Sequence, residues 1–243
     1  MKYHYFISDI HLTTKDTNLL KSFHSFLDNI LADSASLYIL GDLFNYWISE
    51  EEIPAEFIDI FEHLKKCVDQ NVPVYFIVGN RDFLISNTFL KRFGIILLAD
   101  PSIITIQNNM TRTICLTHGD SLCTNDVSYQ VFKSILRSRI VRKGIQALNH
   151  KQKLYLATFL RFLSTVSYKI KKGLTNYDVS ESAILKLHRN YKFDLLIHGH
   201  IHKPGVHLLT IDDTSVTRIV LGDWGNCFNV VKMSVSFVDR LTW

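Results

Sequence analysis

The sequence predicts an α/β sandwich interrupted by a helical insertion. Three observations predict it. Short apolar runs alternate with amphipathic helical patterns over the first 120 residues. Paired β-rich runs flank Asn108-Asn109 and Asp212-Asp213, as in hairpins. Between those two regions, residues 124–190 read as helical and carry no strand signal.

Each element has a local reason. Tyr3 to Asp9 is short, apolar and rich in aromatic and β-branched residues, which marks a buried strand. Asp16 and Thr17 are suited to cap a helix over residues 16–31. Along it Leu19, Leu20, Phe23, Phe26, Leu27, Ile30 and Leu31 share one face. Leu37–Leu40 reads as the next strand and runs into Gly41-Asp42. A second helix starts at Pro54 and reaches about Val68, with Phe57, Ile60, Phe61 and Leu64 inward. Val74–Val78 is a third strand, ending in Gly79-Asn80. Ile103–Ile106 with Thr113–Thr117, and Val206–Ile211 with Val216–Leu221, form the two hairpins. Leu195–Ile197 is a buried strand between them, and Val230–Val238 reads as one final strand. Residues 1–123 and 191–243 therefore make the core, and 124–190 the insertion.

The chain is 243 residues long, 47% hydrophobic and 21% charged, enough for one domain with a full core. Cys67, Cys115, Cys123 and Cys227 show no C-x-x-C spacing, so reduced thiols in a cytoplasmic protein are expected. The first residues reach charge and histidine too early for a signal peptide. No apolar run approaches the roughly 20 residues needed to cross a bilayer.

The net charge of +4 conceals an asymmetry. Residues 1–120 carry 9 basic and 15 acidic groups, residues 121–190 carry 13 and 3, and residues 191–243 carry 5 and 5. All of the excess positive charge thus lies in one internal block. Such a block fits an anionic partner: nucleic acid, a phosphorylated substrate or an acidic membrane surface. A solvated helical face is the plainer alternative.

The most informative residues stand at the ends of the apolar runs: Asp9 and His11, Asp42, Asn80, His118, then His200 and His202. In α/β folds the carboxyl ends of strands converge on one edge, so these seven side chains can meet there. Carboxylates, an amide oxygen and imidazoles without thiolate suit Mn²⁺, Fe²⁺, Zn²⁺ or similar ions. Seven groups exceed the needs of one tetrahedral ion and fit two ions about 3.5–4 Å apart. A single metal with the other histidines in supporting positions is the alternative.

These residues carry a resemblance. Asp9-x-His11, Gly41-Asp42, Gly79-Asn80-Arg81-Asp82, His118-Gly119-Asp120 and Gly199-His200-Ile201-His202 resemble, in order and spacing, the five blocks of the calcineurin-like metallophosphoesterases. That family implies a sandwich of two mixed sheets flanked by helices. Many relatives have histidine where this chain has Arg81. Gly-Asn-Arg-Asp-Phe, the run from His118 to Gln130, and His200-x-His202-Lys203-Pro204 are similar to the UDP-2,3-diacylglucosamine hydrolases of lipid A biosynthesis. Gly41 to Phe44 and Trp47-Ile48 join that similarity, whereas residues beyond 131 match it weakly.

The resemblance implies roles. Asp9, His11, Asp42 and His202 would hold one metal, and Asp42, Asn80, His118 and His200 the other, with Asp42 bridging. Two divalent ions, Mn²⁺ first among them, would hold a hydroxide that attacks the uridine-side phosphorus of UDP-2,3-diacylglucosamine. The products would be UMP and 2,3-diacylglucosamine 1-phosphate. Asp42, Asn80, Arg81 and His118 are the expected catalytic group. Asn80, Arg81, Asp126, Lys169, Lys172 and His200 are expected to contact substrate, with Lys171 able to replace either lysine.

Arg81 is a planar, permanently charged fork suited to phosphate oxygens; an ion pair with Asp82 is its bland alternative. Asp82 and Asp120 are expected to orient metal-bound imidazoles. His198 reads as a supporting or core histidine.

The insertion places Val131, Phe132, Ile135 and Leu136 among basic residues. That pattern fits an ordinary core or a cap for acyl chains at an anionic membrane. A monomer peripheral to the cytoplasmic face of the inner membrane is expected, with no nucleic-acid partner. Within the same fold the rivals are a nuclease or cyclic-nucleotide phosphodiesterase, and a non-catalytic scaffold. The insertion lacks the aromatic interleaving of a base-stacking surface, and the complete ligand set opposes a degenerate site.

Overall fold

Alternation along the strands divides the molecule into layers. In the computed structural model, which describes residues 2–107, 111–149, 151–153, 155–156, 178–224, 229–234 and 237–242, β1 (Tyr3–Ile7), β2 (Ser34–Leu40), β3 (Val74–Ile77) and β4 (Ile96–Leu97) run parallel. β10 (Asn229–Ser234) and β11 (Phe237–Thr242) extend that sheet antiparallel beyond β1, giving the order β11-β10-β1-β2-β3-β4. The second sheet contains β5 (Ser102–Gln107), β6 (Thr111–Thr117), β7 (Leu195–His198), β8 (Gly205–Ile211) and β9 (Thr214–Val220) in the order β5-β6-β7-β9-β8. Its three central strands are parallel and its edges antiparallel.

Successive side chains of a strand point to opposite faces. Ile7, Leu37, Ile39 and Phe76 pack outward against Phe23, Phe26, Phe61 and Phe89 of α1 (Thr17–Leu31), α2 (Ala55–Asp69) and α3 (Asn87–Lys91). Their neighbours Phe6, Tyr38, Leu40 and Ile77 point inward and meet Ile114, Leu116, Ile197 and Ile219 of the second sheet. Cys115, Leu196 and Val216 leave the far face of that sheet and pack with Ile184 and Phe193. The helix carrying Ile184 lies inside the stretch read as the insertion, yet it forms the fourth layer. With α4 (Val127–Arg137) and α5 (Arg139–Ala147) preceding it, it is α6 (Glu181–Tyr191).

The expected helices begin where their caps dictate. Asp16 accepts the backbone N–H of Leu19 at 2.9 Å and starts α1. Pro54 occupies the position just before α2. The hairpin at Asp212-Asp213 forms with φ of 47° and 63°, the left-handed pair that a two-residue turn between twisted strands demands. β5 and β6 pair as expected, while Asn108-Asn109 lies outside the described residues.

The final strand does not run unbroken from Val230 to Val238. Ser234 pairs with Phe237, so β10 and β11 are two arms of a tight hairpin. The segment contains no Gly, Pro, Asn or Asp, so the usual turn chemistry is absent from the sequence. The short α3 and β4 likewise left no periodic signal.

The arrangement brings the carboxyl ends of β1, β2 and β3 to the same edge as those of β6 and β7. Backbone bonds tie these ends together: Asp9 N–H to the Gly41 carbonyl at 3.1 Å, His11 N–H to the Asp42 carbonyl at 3.0 Å, and Gly199 N–H to the His118 carbonyl at 3.0 Å.

Candidate active site

The chain leaves each strand end through a strained turn. Asp9, His11, Asp42, His200 and His202 have φ of 53°, 55°, 54°, 71° and 51°. Non-glycine residues seldom adopt this left-handed region, and such strain persists where surrounding structure holds it for a purpose. Gly41 and Gly119 beside them have φ of 89° and 109°. Space is equally limited at Gly79 and Gly199, where a Cβ would collide with the carboxylates of Asp42 and Asp9.

All seven predicted ligands converge. Asp9, His11 and His202 place one ligand atom each within 4.8 Å of one another, as do Asp9, Asp42 and His118. His202 Nε2 is 3.2 Å from His11 Nε2 and 3.3 Å from Asp9 Oδ1. The Asn80 amide oxygen is 3.0 Å from His118 Nε2 and 3.0 Å from His200 Nδ1. Asp42 Oδ2 lies 3.7 Å from His118 Nε2. Asp9 is common to both three-residue groups.

The charges of this cluster call for a cation. Burial alone would raise Asp9, but the hydrogen bond with His202 and the nearby His118 and His11 hold its carboxyl far below the usual range. Burial raises Asp42. Burial opposes a charge on His118, yet Asp42, Asp9 and Asp120 push it up to about 9. Burial and Arg81 bring His11 down to about 3, and burial and His118 bring His200 down to about 4. Carboxylates, an amide oxygen and imidazoles, with the His118 proton standing where a cation would, are a donor set that fits divalent ions.

Supporting contacts fix these side chains. His118 donates Nδ1–H to the Leu40 carbonyl at 2.9 Å, turning its Nε2 lone pair toward the cluster. Among the described residues Asp82 bonds no imidazole, contrary to expectation. It accepts the N–H groups of Gly79 at 2.6 Å and Leu43 at 2.9 Å, pinning the loops that present Asn80 and Asp42. Asp120 likewise takes side chains of α4: the Tyr129 hydroxyl at 3.0 Å and Lys133 Nζ at 2.8 Å. His198 is a core histidine, donating to the Gly199 carbonyl and accepting Arg218 Nε–H, both at 2.9 Å.

Arg81 makes no ion pair with Asp82. Its Nη1 donates to Asn45 Oδ1 at 2.9 Å and its Nε lies 3.5 Å from Asp42 Oδ2, with the side chain 39% exposed at the rim. Asp126 caps α4, accepting the Tyr129 N–H at 3.0 Å and the Ser128 hydroxyl at 2.8 Å. Lys169, Lys171 and Lys172 lie outside the described residues. Two residues escaped sequence reasoning. Asn45 steadies Arg81, and Asp223 stands 3.7 Å from His202 Nδ1, behind a predicted ligand. Gly222-Asp223 follows β9 as Gly41-Asp42 follows β2, and that repetition was the available signal.

The arrangement matches a known family. A family model described as calcineurin-like phosphoesterase matches residues 5–204. The chain belongs to this family. This calcineurin-like phosphoesterase is 34% identical over 243 residues to UDP-2,3-diacylglucosamine hydrolase of Hamiltonella defensa, covering 97% of this chain and 94% of that protein. To the protein of the same name in Nitrosococcus oceani it is 39% identical over 220 residues, covering 90% and 86%. To that of Haemophilus influenzae Rd it is 36% identical over 237 residues, covering 97% of each. This phosphoesterase thus pairs a two-sheet α/β sandwich with a site for divalent metals. Among its described residues, no helix is long and apolar enough to cross a membrane.

Proposed function

We propose that this phosphoesterase hydrolyses the pyrophosphate of UDP-2,3-diacylglucosamine to UMP and 2,3-diacylglucosamine 1-phosphate. The observation that carries the reading is the convergence of all seven predicted ligands with Arg81 at their rim. Relatives named for this hydrolysis match nearly the whole chain.

In this reading Asp9, His11, Asp42 and His202 hold one ion, and Asp42, Asn80, His118 and His200 the other. Bound divalent ions, Mn²⁺ in this proposal, polarise the phosphoryl oxygens and lower the pKa of water from 15.7 to about 7. The chain's own residues do the rest. Water attacks the phosphorus next to uridine, and the bond to the acyl-sugar phosphate breaks. Arg81, anchored by Asn45, directs its fork at the pyrophosphate and stabilises charge that develops on its oxygens. The carboxylates of Asp9 and Asp42 are held by backbone N–H groups of His200 and Arg81, both at 2.8 Å, so they need not reorganise during the reaction.

Residues 124–190 supply the cap in this proposal, with α6 packed on the core. Asp126 contacts the glucosamine head, and Lys169 and Lys172 meet the phosphates. Val127, Val131 and Ile135 are exposed at successive turns of α4, on a segment with excess positive charge. A monomer attached peripherally to the anionic cytoplasmic face of the inner membrane accounts for that surface.

The test is UMP release from UDP-2,3-diacylglucosamine with Mn²⁺ and with chelator, alongside bis(p-nitrophenyl) phosphate as a small diester. Metal-dependent UMP release is expected. Hydrolysis of the small diester without UMP release overturns the substrate assignment.

A further inference from the structure

α4 turns a polar face to the core. Tyr129, Lys133 and Arg137 recur at every fourth residue and so share one side of the helix. All three reach Asp120. The Tyr129 hydroxyl donates to Oδ2 at 3.0 Å, Lys133 Nζ lies 2.8 Å from Oδ1, and Arg137 Nη2 lies 3.4 Å from Oδ2. Gln130 Nε2 donates to the Asp120 carbonyl at 2.7 Å and to the Cys123 carbonyl at 3.1 Å. No residue of α4 is buried, whereas Asp120 is fully buried two residues after His118. Charge-assisted bonds to one buried carboxylate therefore tie this face of α4 to the core.

Arg137 adds a second anchor. Its Nη2 donates to the Gly79 carbonyl at 2.9 Å, on the loop that presents Asn80. That loop does not depend on Arg137 for its shape, because Asp82 already holds the Gly79 N–H. The dependence runs the other way: Gly79 and Asp120 fix where α4 lies. With α4 so placed, the Tyr129 ring sits 6.0 Å from the His200 ring, at an interplanar angle of 29°.

We propose that Asp120 and Arg137 are positioning residues that dock α4 over the metal centre. Substrates that extend from the centre onto α4 require this docking, and small diesters do not. The inference rests on the substrate reading given above for its functional half and on geometry alone for its structural half.

The experiment compares wild-type protein, Arg137→Gln and Arg137→Lys in three measurements. For UDP-2,3-diacylglucosamine, Arg137→Gln lowers kcat/KM by about tenfold or more, the scale of a misplaced binding element. For bis(p-nitrophenyl) phosphate the rate stays within about twofold, since no ligand or loop is disturbed. Arg137→Lys, which keeps a donor for the Gly79 carbonyl, restores part of the loss. Amide hydrogen exchange of residues 127–137 quickens in Arg137→Gln while β6 is unchanged. Equal losses on both substrates, or unaltered exchange in α4, overturn the proposal. Quickened exchange in α4 with no UMP release by the wild-type protein supports the docking and sinks the substrate reading instead.

Discussion

His11 and His202 are 191 residues apart in the chain, and their Nε2 atoms lie 3.2 Å from each other. Asp9 Oδ1 completes the group at 3.3 Å from His202. Two imidazole nitrogens aimed at one point beside a buried carboxylate form a site that a cation stabilises. The folded protein binds that cation and the unfolded chain does not, so Mn²⁺ at a hundred times its dissociation constant adds about 2.7 kcal/mol. Thermal melting of chelated protein should rise on adding Mn²⁺, and the rise should shrink in His11→Ala.

Asp42→Asn separates function from stability. The substitution keeps the shape but removes a negative charge needed to hold cations, so activity falls at least about a hundredfold. Asp42 is 2% exposed and sits near buried Asp9 and Asp82, an arrangement that costs free energy when no cation is present. In chelator, Asp42→Asn should therefore unfold at a higher urea concentration than the wild type. Urea titrations of both proteins check this.

Asp126 is assigned two duties that different variants separate. Asp126→Ser keeps a capping oxygen for the Tyr129 N–H, whereas Asp126→Ala removes it and costs about 1 kcal/mol at the α4 terminus. Contact with the sugar predicts that both variants lose kcat/KM on the lipid substrate. Only Asp126→Ala should also quicken hydrogen exchange at the start of α4.

A pair far from the centre governs part of the pH dependence of stability. His24 on α1 and His63 on α2 approach through their Nδ1 atoms at 2.7 Å, and His63 Nε2 donates to Asp28 at 2.9 Å. Burial, and then His63, lower the pKa of His24 below its ordinary 6.5. The folded state thus binds fewer protons than the unfolded chain below pH 6.5. The stability is fully present above that value and declines as pH falls towards the depressed one. In chelated protein, the urea midpoint should drop between pH 7.5 and about 5.5, and drop less in His24→Gln.

Much of the site was legible because the expected ligands follow strand ends. Asp9, Asp42, Asn80, His118 and His200 each close an apolar run, and parallel strands carry such residues to one edge. The left-handed backbone of Asp9, His11, Asp42, His200 and His202 was not legible, because no residue type announces it there. The partners of Asp82 and Asp120 were misjudged for a related reason. A carboxylate next to a ligand in sequence can point away from it, and these two serve backbone N–H groups and α4. α6 showed a helical pattern but not its partner, and only the tertiary fold places Ile184 against Leu196 and Val216. The β10–β11 turn lacked the residues that normally mark one.

In the proposed reaction this centre directs water at the phosphorus next to uridine. Hydrolysis of UDP-2,3-diacylglucosamine in ¹⁸O-water with Mn²⁺, followed by mass spectrometry of both products, tests it most directly. One ¹⁸O is expected in UMP and none in 2,3-diacylglucosamine 1-phosphate. Label in the acyl-sugar phosphate, or label in UMP that persists in chelator, would contradict it.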